Sequence, residues 1–195
     1  MSLLSDPRLY DWVQNLTGAH RSRTRLKKYF DAFPLESVIL DLGGGTGGIA
    51  PYLPKSSMYT CLDSDWAKLR GLRAASRDAS AVLSDATNAP FRSGSIDIVL
   101  SIAVSHHLSD VQLDRMFAET RRVLKTGGQM LFLDALAGPR AATWLMWSID
   151  RGAHPRSAEA LRAALCKHLS IVSAERHTHL HEYLTVIARK DSRCD

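Results

Sequence analysis

The chain has 195 residues, 45% hydrophobic and 23% charged, with a net charge of +5, a balance that excludes fibrous, low-complexity and disordered classes. At this length folding buries roughly 70% of the unfolded chain's surface, enough for one domain over residues 1–195 without disulfide or metal staples. Three scattered cysteines, Cys61, Cys166 and Cys194, form no C-x-x-C pair, and no apolar run approaches the roughly 18 residues of a membrane span, so a reducing, cytoplasmic home without secretion signal or span is expected.

The first element is a helix. From His20 to Lys28 the chain carries Arg21, Arg23, Arg25, Lys27 and Lys28 without an acid, while Leu26, Tyr29, Phe30 and Phe33 recur at helical spacing. A basic face of this kind is ordinarily solvated; its functional alternative is a lid meeting an anionic substrate or a cofactor carboxylate, and residues 1–33 are read as that lid.

Next come alternating strands and helices, the signature of a mostly parallel sheet covered on both faces. Ser37 to Leu42 is the first strand, followed by a glycine run and a short helix through Ala50 and Tyr52 that Pro54 stops. Met58 to Leu62 is the second strand, ending at Asp63; a helix from Trp66 to Ala75 and a short strand from Ala81 to Leu83 follow. Ile96 to Leu100 has the continuous apolar character of a strand buried on both faces. A helix from about Val111 to Leu124 is expected to close on Lys125-Thr126-Gly127-Gly128, a basic last turn with a glycine stop. Met130 to Leu133 forms the fifth strand. Ser157 caps a last helix reaching Leu169, and strands near Ile171 to Glu175 and Tyr183 to Arg189 lie close enough to form an antiparallel hairpin.

Glycines between a strand and a helix let backbone approach a ligand where a side chain would collide. Gly43, Gly45 and Gly48 satisfy G-x-G-x-x-G, which fits nicotinamide and other adenosine cofactors alike. Asp63, about 20 residues after Asp41, is placed to accept both hydroxyls of an adenine ribose, which still fits both. Asp41, just before the loop, and Asp85, after the third strand, separate them. Carboxylates repel a pyrophosphate but satisfy a sulfonium, an ammonium and an adenine amine.

On these residues the chain resembles the class I S-adenosylmethionine-dependent methyltransferases of the type 11 and ubiquinone/menaquinone biosynthesis group. The matching stretches are Val38 to Gly47, Leu62-Asp63, Leu83 to Ala86 with Ala89-Pro90-Phe91, Ser95 to Val99, His106-His107-Leu108 and Arg122 to Gly128. The resemblance runs through residues 36–135, the cofactor-binding core, and leaves 136–195 as a substrate-side segment with a terminal hairpin. It implies a Rossmann-like, doubly wound, mostly parallel seven-stranded α/β sheet, with S-adenosylmethionine as cofactor. It also implies that Asp41 and Gly43, Gly44, Gly45 and Gly47 cradle the methionine portion, that Asp63 with Ser64 holds the ribose, that Asp85 with Ala86 meets the adenine, and that Ala103 borders the pocket. Gly44 departs from many relatives, which have cysteine or another small residue there.

A sulfonium already activates its methyl group, so the protein must mainly align the reactants and supply a base where the nucleophile arrives protonated. His106 and His107, at the C-terminal edge of the fourth strand, are the candidates for base or orienting residue. Asp134, Asp150 and His154 are second-rank candidates for substrate contact, and Trp144 and Trp147 are either core or a wall for a planar or lipid-like acceptor. His177, His179 and His181 alternate on one face, but no fourth ligand is evident and no metal is expected.

The expected activity is methyl transfer to oxygen, nitrogen or activated carbon of a small molecule. The position after the fourth strand reads Ala103-Val104-Ser105-His106 rather than an Asn/Asp-Pro-Pro-aromatic tetrapeptide, and no cysteine follows proline, so a nucleic-acid acceptor rests only on the basic stretch 20–28. A non-catalytic cofactor-binding module is the other alternative.

Overall fold

Period-two alternation along the strands, together with helical stripes facing them, accounts for the layers seen in the computed structural model, which describes residues 19–75, 79–138, 154–178 and 182–192. Strands β1 (Val38–Leu42), β2 (Met58–Asp63), β3 (Ser80–Leu83), β4 (Ile96–Ile102), β5 (Leu124–Ala135), β6 (Ser170–Thr178) and β7 (Glu182–Arg189) form one sheet in the order β3-β2-β1-β4-β5-β7-β6. β1 to β5 pair in parallel, and β7 runs antiparallel to both β5 and β6. The expected α/β sheet of seven mostly parallel strands with an antiparallel C-terminal hairpin is therefore the observed one.

Along β1, β4 and β5, Ile39, Ile98, Leu100, Leu131 and Leu133 point to one face, where helix α1 (Ala19–Phe30) and the turn after it supply Leu26, Phe30 and Phe33. Their neighbours Leu40, Leu42, Val99, Met130 and Phe132 point to the other face. There helix α3 (Asp110–Val123) packs Leu113, Met116 and Phe117, and helix α4 (Ala158–Cys166) packs Leu161 and Leu165. Helix α2 (Trp66–Ala75) covers β2 with Leu69 and Leu72 against Cys61.

The Leu26, Phe30 and Phe33 stripe of the N-terminal helix is buried as its spacing requires. The basic face is tied to the sheet. Arg25 and Lys28 pair with Glu175 of β6 at 3.0 and 2.7 Å, and Tyr29 donates to the same carboxylate at 2.6 Å. Lys28, then Tyr29 and Arg25, hold the Glu175 carboxyl down at about 2. These charges meet an acid of the same chain, so they fasten α1 to the hairpin.

Two local expectations are corrected. The helix after the glycine run is a single 3-10 turn, Ala50–Tyr52, with proline inside it, so no helix of useful length stands behind the loop. Lys125 to Gly128 do not end a helix. Leu124 is already extended (φ −63°, ψ 136°) and pairs with Ile96, and Lys125 reaches Asp97 at 2.8 Å, so the residues that look like a helical stop open β5. The ladder to β4 supplies partners that a frayed last turn lacks. Helix α3 is instead fixed at its start, by a Ser109–Gln112 capping box.

Candidate functional site

The order of the sheet reverses between β1 and β4, and in open α/β sheets ligands sit beyond the C-terminal strand ends at such a point. The glycine loop leaves β1 there. The amides of Gly43 and Gly44 both donate to the Leu62 carbonyl, at 2.7 and 3.2 Å, tying the loop to β2. Gly43 has φ 71°, and a Cβ at this position would lie 2.6 Å from a Val104 methyl, so the loop touches the turn that follows β4. At Gly44 a Cβ would collide with the Asp41 carboxylate and come 2.7 Å from the Cys61 sulfur, so this position has no room for a side chain. Glycine at these positions lets the loop backbone lie directly against the turn after β4, the Asp41 carboxylate and the Cys61 sulfur.

The three acids are not equivalent. Asp63 is buried, one oxygen accepting the Gly45 amide at 2.9 Å and the other the Asp65 amide at 2.8 Å, so its carboxylate is aimed before any ligand arrives. Asp85 is exposed and accepts the Thr87 amide at 2.7 Å, an Asx turn that leaves its other oxygen facing solvent. Asp41 lies beneath the loop, 2% exposed, accepting the Tyr59 hydroxyl at 2.7 Å. Ser64 and Ala103 are exposed and Ala86 is half-buried along the same edge; Ala103 adopts φ 58°, a left-handed turn that carries the chain from β4 towards the histidines.

Burial, with the Asp63 charge adding to it and the Tyr59 hydroxyl opposing it, pushes the Asp41 carboxyl up to about 7. A carboxyl whose folded value is raised stabilises the fold below about pH 4 and loses that contribution as pH rises through 7. Asp41→Asn is therefore expected to flatten the pH dependence of apo stability between pH 4 and 7. It should also raise Tm at pH 8 by at least ~3 °C, measured by thermal unfolding across pH. A variant that unfolds with the wild-type pH slope would contradict this.

His106 and Asp134 meet in the same crevice. Ile102 of β4 registers with Leu133 of β5, so the residues just past that pair lie side by side. His106 Nδ1 stands 2.6 Å from Asp134 Oδ1, both side chains almost fully buried. Asp134 also accepts the Ser105 hydroxyl, the His106 amide at 3.2 Å and the Ala135 amide at 2.8 Å. Burial opposes ionisation of Asp134, but the His106 ring, followed by these donors, outweighs it and holds the carboxyl below its ordinary value. An ionised carboxylate only accepts, so Nδ1 carries a proton and the ring's acid-base chemistry falls to Nε2. His107 is exposed, its ring 4.1 Å from that of His106.

Of the other candidates, His154 is exposed and bonds through its backbone, its amide donating to the His106 carbonyl at 3.0 Å. His177 stacks on Tyr183 at 5.3 Å. Asp150, Trp144, Trp147, His179 and His181 lie outside the described residues. Among the described residues no group of three or more His, Cys, Asp or Glu could hold a metal ion, and no helix is long and apolar enough to cross a membrane. Sequence reading passes over Ser105, which could have been found by its place beside His106 after a buried strand.

Residues 40–132 match the family model of the methyltransferase domain. The malonyl-[acyl-carrier protein] O-methyltransferase of Geobacter sulfurreducens is 34% identical over 150 residues, covering 66% of this chain and 54% of that protein. The tRNA (carboxymethyluridine(34)-5-O)-methyltransferase of Mus musculus is 31% identical over 126 residues, covering 61% of this chain and 18% of that protein. Among solved structures, geranyl diphosphate C-methyltransferase from Streptomyces coelicolor, in complex with S-adenosyl-L-homocysteine, shares the fold with a TM-score of 0.73 at 13% identity, covering 88% of this chain and 81% of that one. The chain spans less than two thirds of the length of these two curated relatives.

Proposed function

We propose that the chain, whose residues 40–132 match the methyltransferase domain, is a class I, S-adenosylmethionine-dependent methyltransferase that methylates an oxygen of a small-molecule acceptor, with His106 taking the acceptor's proton. The observation that carries this reading is the buried His106–Asp134 pair at 2.6 Å, on a turn that abuts the glycine loop through Val104. Bound at the loop, S-adenosylmethionine supplies a methyl carbon already activated by its sulfonium leaving group. The backbone of Gly43 to Gly47 seats the methionine end, and Asp63, fixed by the Gly45 and Asp65 amides, accepts the ribose hydroxyls with Ser64 beside it. Asp85 and Ala86 border the adenine. Asp41 acts from below, its carboxylate held by the Tyr59 hydroxyl and packed directly under Gly44, rather than reaching out. His106, its ring orientation set by Asp134, receives the proton at Nε2, and His107 flanks it.

A second reading is an RNA acceptor, favoured by the tRNA methyltransferase among the relatives. Against it, the described basic side chains of α1 are engaged within the chain, Arg25 and Lys28 with Glu175 and Lys27 with Asp31. Both O-methyltransferase relatives are named for acceptors that bear a carboxyl group, malonyl and carboxymethyl. A carboxylate arrives ionised and needs no base; His106 would then act as a cation beside it.

Incubation with isotopically labelled S-adenosylmethionine separates these readings. Label is expected in the low-molecular-weight fraction of a metabolite extract and not in total tRNA. The rate on the labelled acceptor is expected to rise with pH as the base deprotonates; a rate that falls with pH would replace the base with a cationic anchor, and label confined to tRNA would establish the RNA reading.

A further inference from the structure

Arg156 takes no part in the site as described above, yet its side chain is directed at it. The side chain is 9% exposed. Nη1 donates to the carbonyls of Ser105 at 2.8 Å and His154 at 3.1 Å, Nη2 to the Leu108 carbonyl at 2.6 Å and Asp110 Oδ1 at 2.7 Å, and Nε to Asp110 Oδ1 at 2.8 Å. Ser105 and Leu108 bracket the three-residue 3-10 turn Ser105–His107 that carries His106. A turn this short has poor internal hydrogen-bond geometry and depends on outside partners to hold its shape.

The backbone of Arg156 holds the other half of the pair. Leu136, two residues beyond Asp134, bridges to Arg156 in parallel, and the Ala137 amide donates to the Arg156 carbonyl at 2.8 Å. One residue thus grips the strand end bearing Asp134 through its main chain and the turn bearing His106 through its side chain. A lysine could not reproduce this grip, since the planar guanidinium reaches several carbonyls at once and an ammonium acts as a point charge.

We propose that Arg156 is a positioning residue for methyl transfer: by clamping the Ser105–Leu108 turn to the end of β5 it keeps His106 aligned on Asp134. The inference rests on the reading of His106 as the proton acceptor. Asp110 contributes little to the clamp, because its side chain is 92% exposed and an ion pair so placed is screened.

The test compares Arg156→Met, Arg156→Lys and Asp110→Asn by two readouts. The first needs no turnover: the low-field Nδ1–H proton resonance of the His106–Asp134 pair, recorded by NMR on the unliganded protein. It is expected in the wild type and in Asp110→Asn and lost in Arg156→Met. The second is the separation of kcat from KM. Arg156→Met should lower kcat about 10²-fold, the cost of misplacing a reacting group, with KM for S-adenosylmethionine unchanged within about twofold. Should Arg156→Met fail to fold, Arg156→Lys carries the test, with kcat lowered roughly tenfold and the resonance weakened. A variant at position 156 that keeps the resonance, or keeps kcat, overturns the clamp. Failure of the base reading is distinguishable, since it would appear as wild-type turnover in a His106 variant whatever Arg156 does.

Discussion

Asp63→Ala is expected to weaken S-adenosylmethionine binding by at least ~100-fold in calorimetry. Asp63 ends β2 at the crevice, buried, with each carboxylate oxygen already accepting one backbone amide, from Gly45 and from Asp65. Each oxygen retains capacity for a further donor, so the two ribose hydroxyls would find acceptors whose direction is set in advance. A hydrogen bond to a charged group contributes about 1.5–3 kcal/mol, so losing two corresponds to about 3–6 kcal/mol, and each 1.4 kcal/mol is a factor of ten in affinity. The variant also strips the Gly45 amide of its partner and so loosens the loop. Asp63→Asn sharpens the comparison: the amide keeps the shape but turns a donor towards Gly45 or Asp65, and its affinity should fall nearly as far. Binding within about twofold of wild type in Asp63→Ala would remove Asp63 from the cofactor site. Titration with NADH alongside should give no heat, since the loop leads into a 3-10 turn rather than a helix N-terminus able to receive a pyrophosphate.

His106→Asn should lower kcat/KM by roughly 10²–10⁴-fold, the usual contribution of a positioned acid or base, while leaving cofactor affinity within about twofold. Asparagine is preferred to alanine because Asp134 is fully buried. Removing one partner of a buried pair costs about 3–5 kcal/mol by abandoning a charge, and a collapsed fold would resemble a catalytic defect. The asparagine amide still offers Asp134 a donor but has no titrating nitrogen. Turnover at the wild-type rate, measured on the acceptor that takes up label, would exclude His106 as the base.

Much of the fold is legible without coordinates because its cause is local. Ile96 to Leu100 reads as a strand buried on both faces, and alternate residues of it do enter opposite layers. The Leu26, Phe30 and Phe33 stripe faces inward, and Ser157 caps α4 as expected. Where local signals mislead, a long-range partner overrides them. Lys125 to Gly128 carry every mark of a helix stop, yet pairing with β4 and the Lys125–Asp97 contact make them a strand. Within the basic run of α1, Arg25 and Lys28 find Glu175, far along the chain, a partner that no local pattern announces.

The alternating strands and helices, the glycine loop and the acids at successive strand ends follow from the order of residues alone, because strand period, helix stripe and left-handed glycine are properties of neighbouring residues. Which of those groups are buried and what they meet depends on the assembled sheet. Asp41 and Asp63 look alike in the sequence, yet one lies buried beneath the loop against Tyr59 and the other is aimed by two backbone amides. His106 acquires its partner only because β4 and β5 lie side by side in parallel register, and Arg156 reaches their turn only through the fold that sets it against Ser105 and Leu136. Such pairings depend on strand order and loop closure, which bring together groups too distant along the chain for any local pattern to connect.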